Sequence, residues 1–151
     1  MARSITPTSP DGWAALAKRE LDNIGASYRG RVSNDAIVHH ALMAVEFALK
    51  AHIWKDKRWR EWPKRSKTTS YLYTHDLDAM LKNCERIIQE ALRARPERYL
   101  SWQVLLNASG KQMRYSDTPV SDVERNEIAK SARHPTEGVV PWLLDRYRQK
   151  T

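Results

Sequence analysis

Glu46 and Lys50 stand four residues apart, so on a helix they share one face. The pair is either a surface ion pair of a few tenths of a kcal/mol or a place where Lys50 offers a point charge to a phosphate. His75 and Asp76 follow Thr74, whose hydroxyl suits the cap of a helix beginning there. The positive end of that helix disfavours a charged imidazole, so His75 is expected neutral, either as a clasp between helices or as a ligand contact. His39 and His40 are adjacent and point about 100 degrees apart on a helix, which does not make a metal site. No His-x-x-x-His pair accompanies them, and no metal or other cofactor is expected. From Lys55 to Lys67 the chain carries Lys55, Lys57, Arg58, Arg60, Lys64, Arg65 and Lys67 against Asp56 and Glu61, with Trp54, Trp59 and Trp62 among them. Such a loop suits RNA, because cations neutralise phosphates while an indole stacks on a base, each stack worth about 1 to 3 kcal/mol. It equally suits a solvated loop whose tryptophans fold back onto the protein, or a dimer interface.

Helices must position these groups. Apolar residues recur every three to four positions from Trp13 to Tyr28, from Ile37 to Ile53, from Leu77 to Leu92 and from Tyr99 to Leu106. The spacing predicts helices over 13–28, 33–57, 76–93 and 97–108, the second being central because its apolar face is broad. Ser33 caps the second and Pro96 opens the fourth. Ser121 and Glu124 form a capping box for a fifth helix, 121–133, and Pro141 suits the first turn of a last one. No period-two alternation persists over four residues. The chain therefore reads as all-α, an antiparallel five- to six-helix up-and-down bundle occupying 13–151 after a flexible arm, 1–12, rich in Ser, Thr and Pro.

A length of 151 residues suits one domain. With 41% hydrophobic and 29% charged residues, the chain is neither disordered nor membrane-resident in character. Its first 35 residues contain Arg3, Lys18, Arg19 and Arg29 and no unbroken apolar run, which reads as no secretory signal or membrane span and implies cytoplasmic residence. Cys84, the single cysteine, excludes an internal disulfide. A net charge of +8 raises the local concentration of polyanions, so nucleic acid, nucleotides or an acidic protein are the expected partners.

The step Glu46-Phe47-Ala48-Leu49-Lys50-Ala51, followed by Thr74-His75-Asp76-Leu77, resembles the HEPN family (higher eukaryotes and prokaryotes nucleotide-binding). Arg114-Tyr115-Ser116-Asp117 is similar to an Arg-Tyr-Pro-Asp step of its non-nuclease branch, with Ser116 in place of Pro. The resemblance covers roughly residues 13 to 130. It implies a helical bundle, a homodimer, and a nucleotide or RNA ligand held near Lys50, His75 and Arg114, with Arg58, Arg60, Lys64 and Arg65 assisting. A prokaryotic defence or toxin–antitoxin setting and a partner nucleotidyltransferase or other protein are further implications. Nuclease members carry Arg-Asn-x-x-x-His, and here Arg125-Asn126-Glu127-Ile128-Ala129-Lys130 ends in Lys. Arg125 and His134 are nine positions apart, opposite one another on a continuous helix. The reading that follows is a non-catalytic nucleotide- or RNA-binding module. Its alternatives are a divergent metal-independent dimeric ribonuclease using Arg125, Lys130 or His134 with Arg114, and an oligomerisation module built on the tryptophans.

Overall fold

The computed structural model describes residues 6–112 and 119–150, the side chains of 111 and 112 excepted. Ser9 accepts the Gly12 N–H on its hydroxyl at 3.2 Å, and Pro10 takes the first helical position, where its missing N–H has no consequence. Helix α1 therefore runs Pro10–Arg29, opening three residues before the apolar periodicity does. Ser33 caps α2, Asn34–Lys57, by accepting the Ala36 N–H at 3.3 Å. Residues 30–33 are too few to do anything but reverse the chain, so α1 and α2 form an antiparallel hairpin, the most extensive helix pair of the protein.

Helix α2 is buried on nearly every side: Ile37, Ala41, Ala44, Val45, Ala48, Leu49 and Ile53 are each within 1% of complete burial. It contacts α1, α3, α5, α6 and α7, and its four buried alanines, Ala41, Ala44, Ala48 and Ala51, let neighbours approach closely. By length and composition alone α2 could cross a membrane, yet 67% of that stretch is buried inside the protein.

The helix predicted over 76–93 is two. Helix α3, Leu77–Lys82, and α4, Arg86–Ala94, are parted at 83–85 because side chains there take over the backbone groups. Asn83 Nδ2 donates to the Ala79 carbonyl at 2.8 Å, Gln89 Nε2 donates to the Cys84 carbonyl at 3.0 Å, and Asp56 of α2 accepts the Glu85 N–H at 3.3 Å. Helix α5, Pro96–Gln112, runs through Gly110 rather than ending there. Helix α6, Asp122–Arg133, starts from Ser121, whose hydroxyl accepts the Glu124 N–H at 3.1 Å. Helix α7, Val139–Gln149, holds Pro141 within its first turn. Among the described residues the fold is thus all-α, seven helices and one 3₁₀ turn, Ser70–Tyr73, with no strand. The core joins α2 to Leu72, Met80, Leu92, Leu105, Ala129 and Leu143, and each large apolar side chain buried there contributes about 1.5 to 3 kcal/mol.

Candidate functional site

Glu46 is 2% exposed and both of its oxygens are used. Oε2 accepts from Lys50 Nζ at 3.0 Å and Oε1 accepts from His75 Nδ1 at 2.7 Å. Lys50 is itself buried, with its ammonium 4.8 Å from the Trp13 ring centre and 6.0 Å from that of Trp62. His75 reaches Glu46 from a left-handed backbone conformation, φ 58°, while its carbonyl accepts the Ser109 hydroxyl at 3.4 Å. Helix α3 is capped by Asp76, which accepts the Ala79 N–H at 3.1 Å, and not by Thr74, whose hydroxyl goes to the Tyr71 carbonyl at 3.3 Å. This motif ties α2, α3 and α5 together. Lys50 faces inward, His75 is held by Glu46 with its imidazole exposed, and Arg114 lies outside the described residues, so no pocket uniting the three is described.

The tryptophans of the basic loop fold back. Trp62 packs on Trp13, Trp54 and Trp59 at ring-centre distances of 4.9, 5.4 and 5.9 Å. Trp54 Nε1 donates to the Trp59 carbonyl at 2.7 Å, and Arg58 turns the chain with φ 54°. Thr69 fixes the far end, its hydroxyl donating to the Lys64 carbonyl at 2.7 Å and its oxygen accepting the Ser66 N–H at 2.9 Å. With the indoles turned inward, Arg58, Arg60, Lys64 and Arg65 project into solvent and form no ion pair among the described residues. The loop is thus a held surface of cations, without an open indole platform.

A second cationic surface lies between α1 and α6. An open cleft of about 440 Å³ is lined by Tyr28, Asn126, Ala129, Lys130, Arg133, His134 and Pro135. Positions 126, 130 and 133 share a face of α6, and His134, the C-cap residue four after Lys130, continues it. Arg125 does not line it; its Nη1 donates to Asn34 Oδ1 at 2.8 Å and its guanidinium lies 5.0 Å from the Tyr28 ring centre. Arg133 lies at the same 5.0 Å from that ring. Gly25 lies against it, since a Cβ there would stand in ordinary contact with Arg29 Nη1 at 3.5 Å and Arg133 Nη1 at 3.7 Å. Neither Arg29 nor Arg133 has a carboxylate partner among the described residues, while Lys130 lies 3.6 Å from Glu137.

The hydrogen bonds fix what the cleft presents. Asn126 Oδ1 is occupied, accepting from the Tyr28 hydroxyl at 2.7 Å and from Arg125 Nε at 3.0 Å, which leaves its NH₂ to face a ligand. His134 Nδ1 accepts the Glu137 N–H at 3.1 Å and the Thr136 N–H at 3.3 Å. In the neutral ring the hydrogen is then on Nε2. The cleft wall is largely apolar, and the polar groups that Asn126, Lys130, Arg133 and His134 bring to it with capacity to spare are an amide NH₂, an ammonium, a guanidinium and an imidazole N–H. The sequence pointed to Lys130 and His134 but not to Tyr28 or Arg133; Tyr28 reads there as one more apolar helix position.

A third polar cluster is internal. His52 is fully buried, its Nε2 donating to the Leu143 carbonyl at 2.7 Å, with Nδ1 unpartnered. Burial above all, then the Lys150 charge, pushes its pKa down to about 4, against the bond to Leu143 and the Asp56 charge. Nearby, Lys150 pairs with Asp56, Lys55 lies 4.5 Å from the Tyr147 ring centre, and the Tyr147 hydroxyl donates to Asp11. These contacts fasten α7 to α1 and α2. Burial likewise pushes the Cys84 thiol up to about 12, as an inert core group. No group of three or more His, Cys, Asp or Glu side chains able to hold a metal occurs among the described residues. Comparison with protein-family models, curated proteins and solved structures gives no match in any of the three.

Proposed function

We propose that the protein is a non-catalytic nucleotide- or RNA-binding module that holds phosphate groups in the α1–α6 cleft, with the loop cations Arg58, Arg60, Lys64 and Arg65 extending the contact. One observation carries this reading: Asn126, Lys130, Arg133 and His134 line one open cleft, and the hydrogen-bonding capacity their side chains keep is that of donors. An acceptor-rich anion matches that set, whereas a base edge mixes donors and acceptors. The Tyr28 ring already has two guanidiniums over it, so it is a poor platform for a base. General-base work by His134 needs a bare Nε2, and the proton would then sit on Nδ1 against two backbone N–H groups.

The resemblance to HEPN domains supports a nucleotide or RNA ligand, a homodimer, and a separately encoded partner such as a nucleotidyltransferase, in the cytoplasm of a prokaryotic defence or toxin–antitoxin system. A second reading, a metal-independent ribonuclease, is favoured by the shared position of Lys130 and His134 in the cleft. Fluorescence anisotropy with labelled single-stranded RNA at low salt separates the readings. Lys130→Gln with Arg133→Gln is expected to weaken binding at least about tenfold, charged hydrogen bonds being worth about 1.5 to 3 kcal/mol each. Undetectable binding of nucleotides, tRNA and single-stranded RNA by the unaltered protein overturns the proposal. RNA cleavage in chelator, abolished by His134→Ala, replaces it with the second reading.

A further inference from the structure

Arg98, in the first turn of α5, meets Arg146 of α7 over one ring. The guanidinium of Arg98 lies 4.5 Å, and that of Arg146 5.5 Å, from the ring centre of Trp142. Arg98 Nη1 donates to the Ala91 carbonyl at 3.2 Å, which fixes its plane, and its Nε is buried with no partner. Neither arginine, nor Arg95, forms an ion pair among the described residues, and Asp145, the acid on α7, is taken by Arg148 at 3.0 Å. Burial first, then the Arg95 and Arg146 charges, lower the proton affinity of Arg98, with Glu97 opposing. Arg98 also stands in the first turn of α5, where the helix dipole disfavours a cation.

One guanidinium is enough to cover Trp142; a second over the same ring adds repulsion that no ion pair of either arginine relieves among the described residues. We propose that Arg98 and Arg146, stacked on Trp142, form a second anion site that takes phosphate groups, with the exposed Arg95, three residues before Arg98, adding its charge. Three cations less the one carboxylate of Glu97 leave two positive charges unmatched, which suits a phosphate dianion or two phosphodiesters better than a lone carboxylate. Planar guanidiniums bind phosphate oxygens in pairs, and the plane of Arg98 is fixed here before the ligand arrives.

Thermal shift with sodium tripolyphosphate, against sodium chloride of equal ionic strength, tests the site in the full chain, and anisotropy with single-stranded RNA forms a second arm. Arg146→Gln and Arg95→Gln, each checked for unchanged helicity, are expected to weaken the tripolyphosphate response about tenfold, the loss of one charged hydrogen bond. Parallel weakening of RNA binding identifies a strand as the source of phosphate; weakening toward tripolyphosphate alone identifies a free phosphate compound. An equal response in the unaltered protein and both variants, or none in the unaltered protein, overturns the site. The cleft is judged separately: loss in Arg133→Gln alone leaves the cleft standing and removes this site, and loss in Arg146→Gln alone does the reverse.

Discussion

Replacing Glu46 by Gln keeps the side-chain shape, removes the carboxylate, and strands Lys50, a cation only 8% exposed. At 3.0 Å, with an effective dielectric of about 20, the attraction lost is on the order of 5 kcal/mol. Part of that was already offset by dehydrating both groups, and the Trp13 ring at 4.8 Å still faces the ammonium with about 1 to 2 kcal/mol. The net loss expected for Glu46→Gln is therefore about 3 kcal/mol. Lys50→Met fills the same straight channel and leaves Glu46 its bond to His75 at 2.7 Å, so about 1.5 kcal/mol is expected. The double variant removes both charges at once and should lose about 2 kcal/mol, well under the sum of the single losses. Urea unfolding followed by tryptophan fluorescence gives all three values, since Trp13 and Trp62 flank the ammonium. Additive losses would refute the buried pair. So would a Lys50→Met protein of unchanged stability that binds phosphate more weakly, because Lys50 would then be a ligand contact.

Further expectations follow from His52 and Gly138. His52 has a pKa near 4 when folded and 6.5 as its ordinary value, so the unfolded chain takes up the extra proton as pH falls. Its stabilising contribution is complete above about pH 6.5 and is lost on the way down to about pH 4, with about 2 kcal/mol gone at pH 5. Unfolding curves across that range should show this limb, flattened in His52→Phe; an identical limb in the variant contradicts the assignment. At Gly138 an added Cβ would stand 2.5 Å from both the backbone N and O of His134 and 3.0 Å from the Ala132 carbonyl. Gly138→Ala should therefore lose about 2 kcal/mol or more and weaken RNA binding, because the turn that holds His134 must move. An unchanged melting temperature refutes this.

The helices were legible because burial imposes a period of 3.6, and Ser33, Pro96 and Ser121 mark their starts with chemistry that acts within one turn. The break between α3 and α4 was not, since it depends on Asn83 and Gln89 bonding nearby carbonyls and on Asp56 arriving from another helix. Lys50 reads as a surface partner of Glu46 because nothing local reveals Trp13, which lies 37 positions earlier and closes over the ammonium. His52 carried an unused signal: it sits three after Leu49 and seven after Val45, on the apolar stripe of α2. The cleft was half legible, as Lys130 and His134 stand close in sequence, while Tyr28 comes from α1. The meeting of Arg98 with Arg146 over Trp142 is a product of tertiary packing alone.

The central claim, that cations in the α1–α6 cleft hold phosphate without reading bases, is met most directly by the salt dependence of RNA binding in the unaltered protein and in Arg133→Gln. Each phosphate contact on a single strand contributes about 0.7 to the slope of log affinity against log salt. Arg133→Gln should flatten the slope by about that amount, with oligo-U and oligo-C bound equally by both proteins. An unchanged slope, or a preference of more than about tenfold for one base, would contradict it.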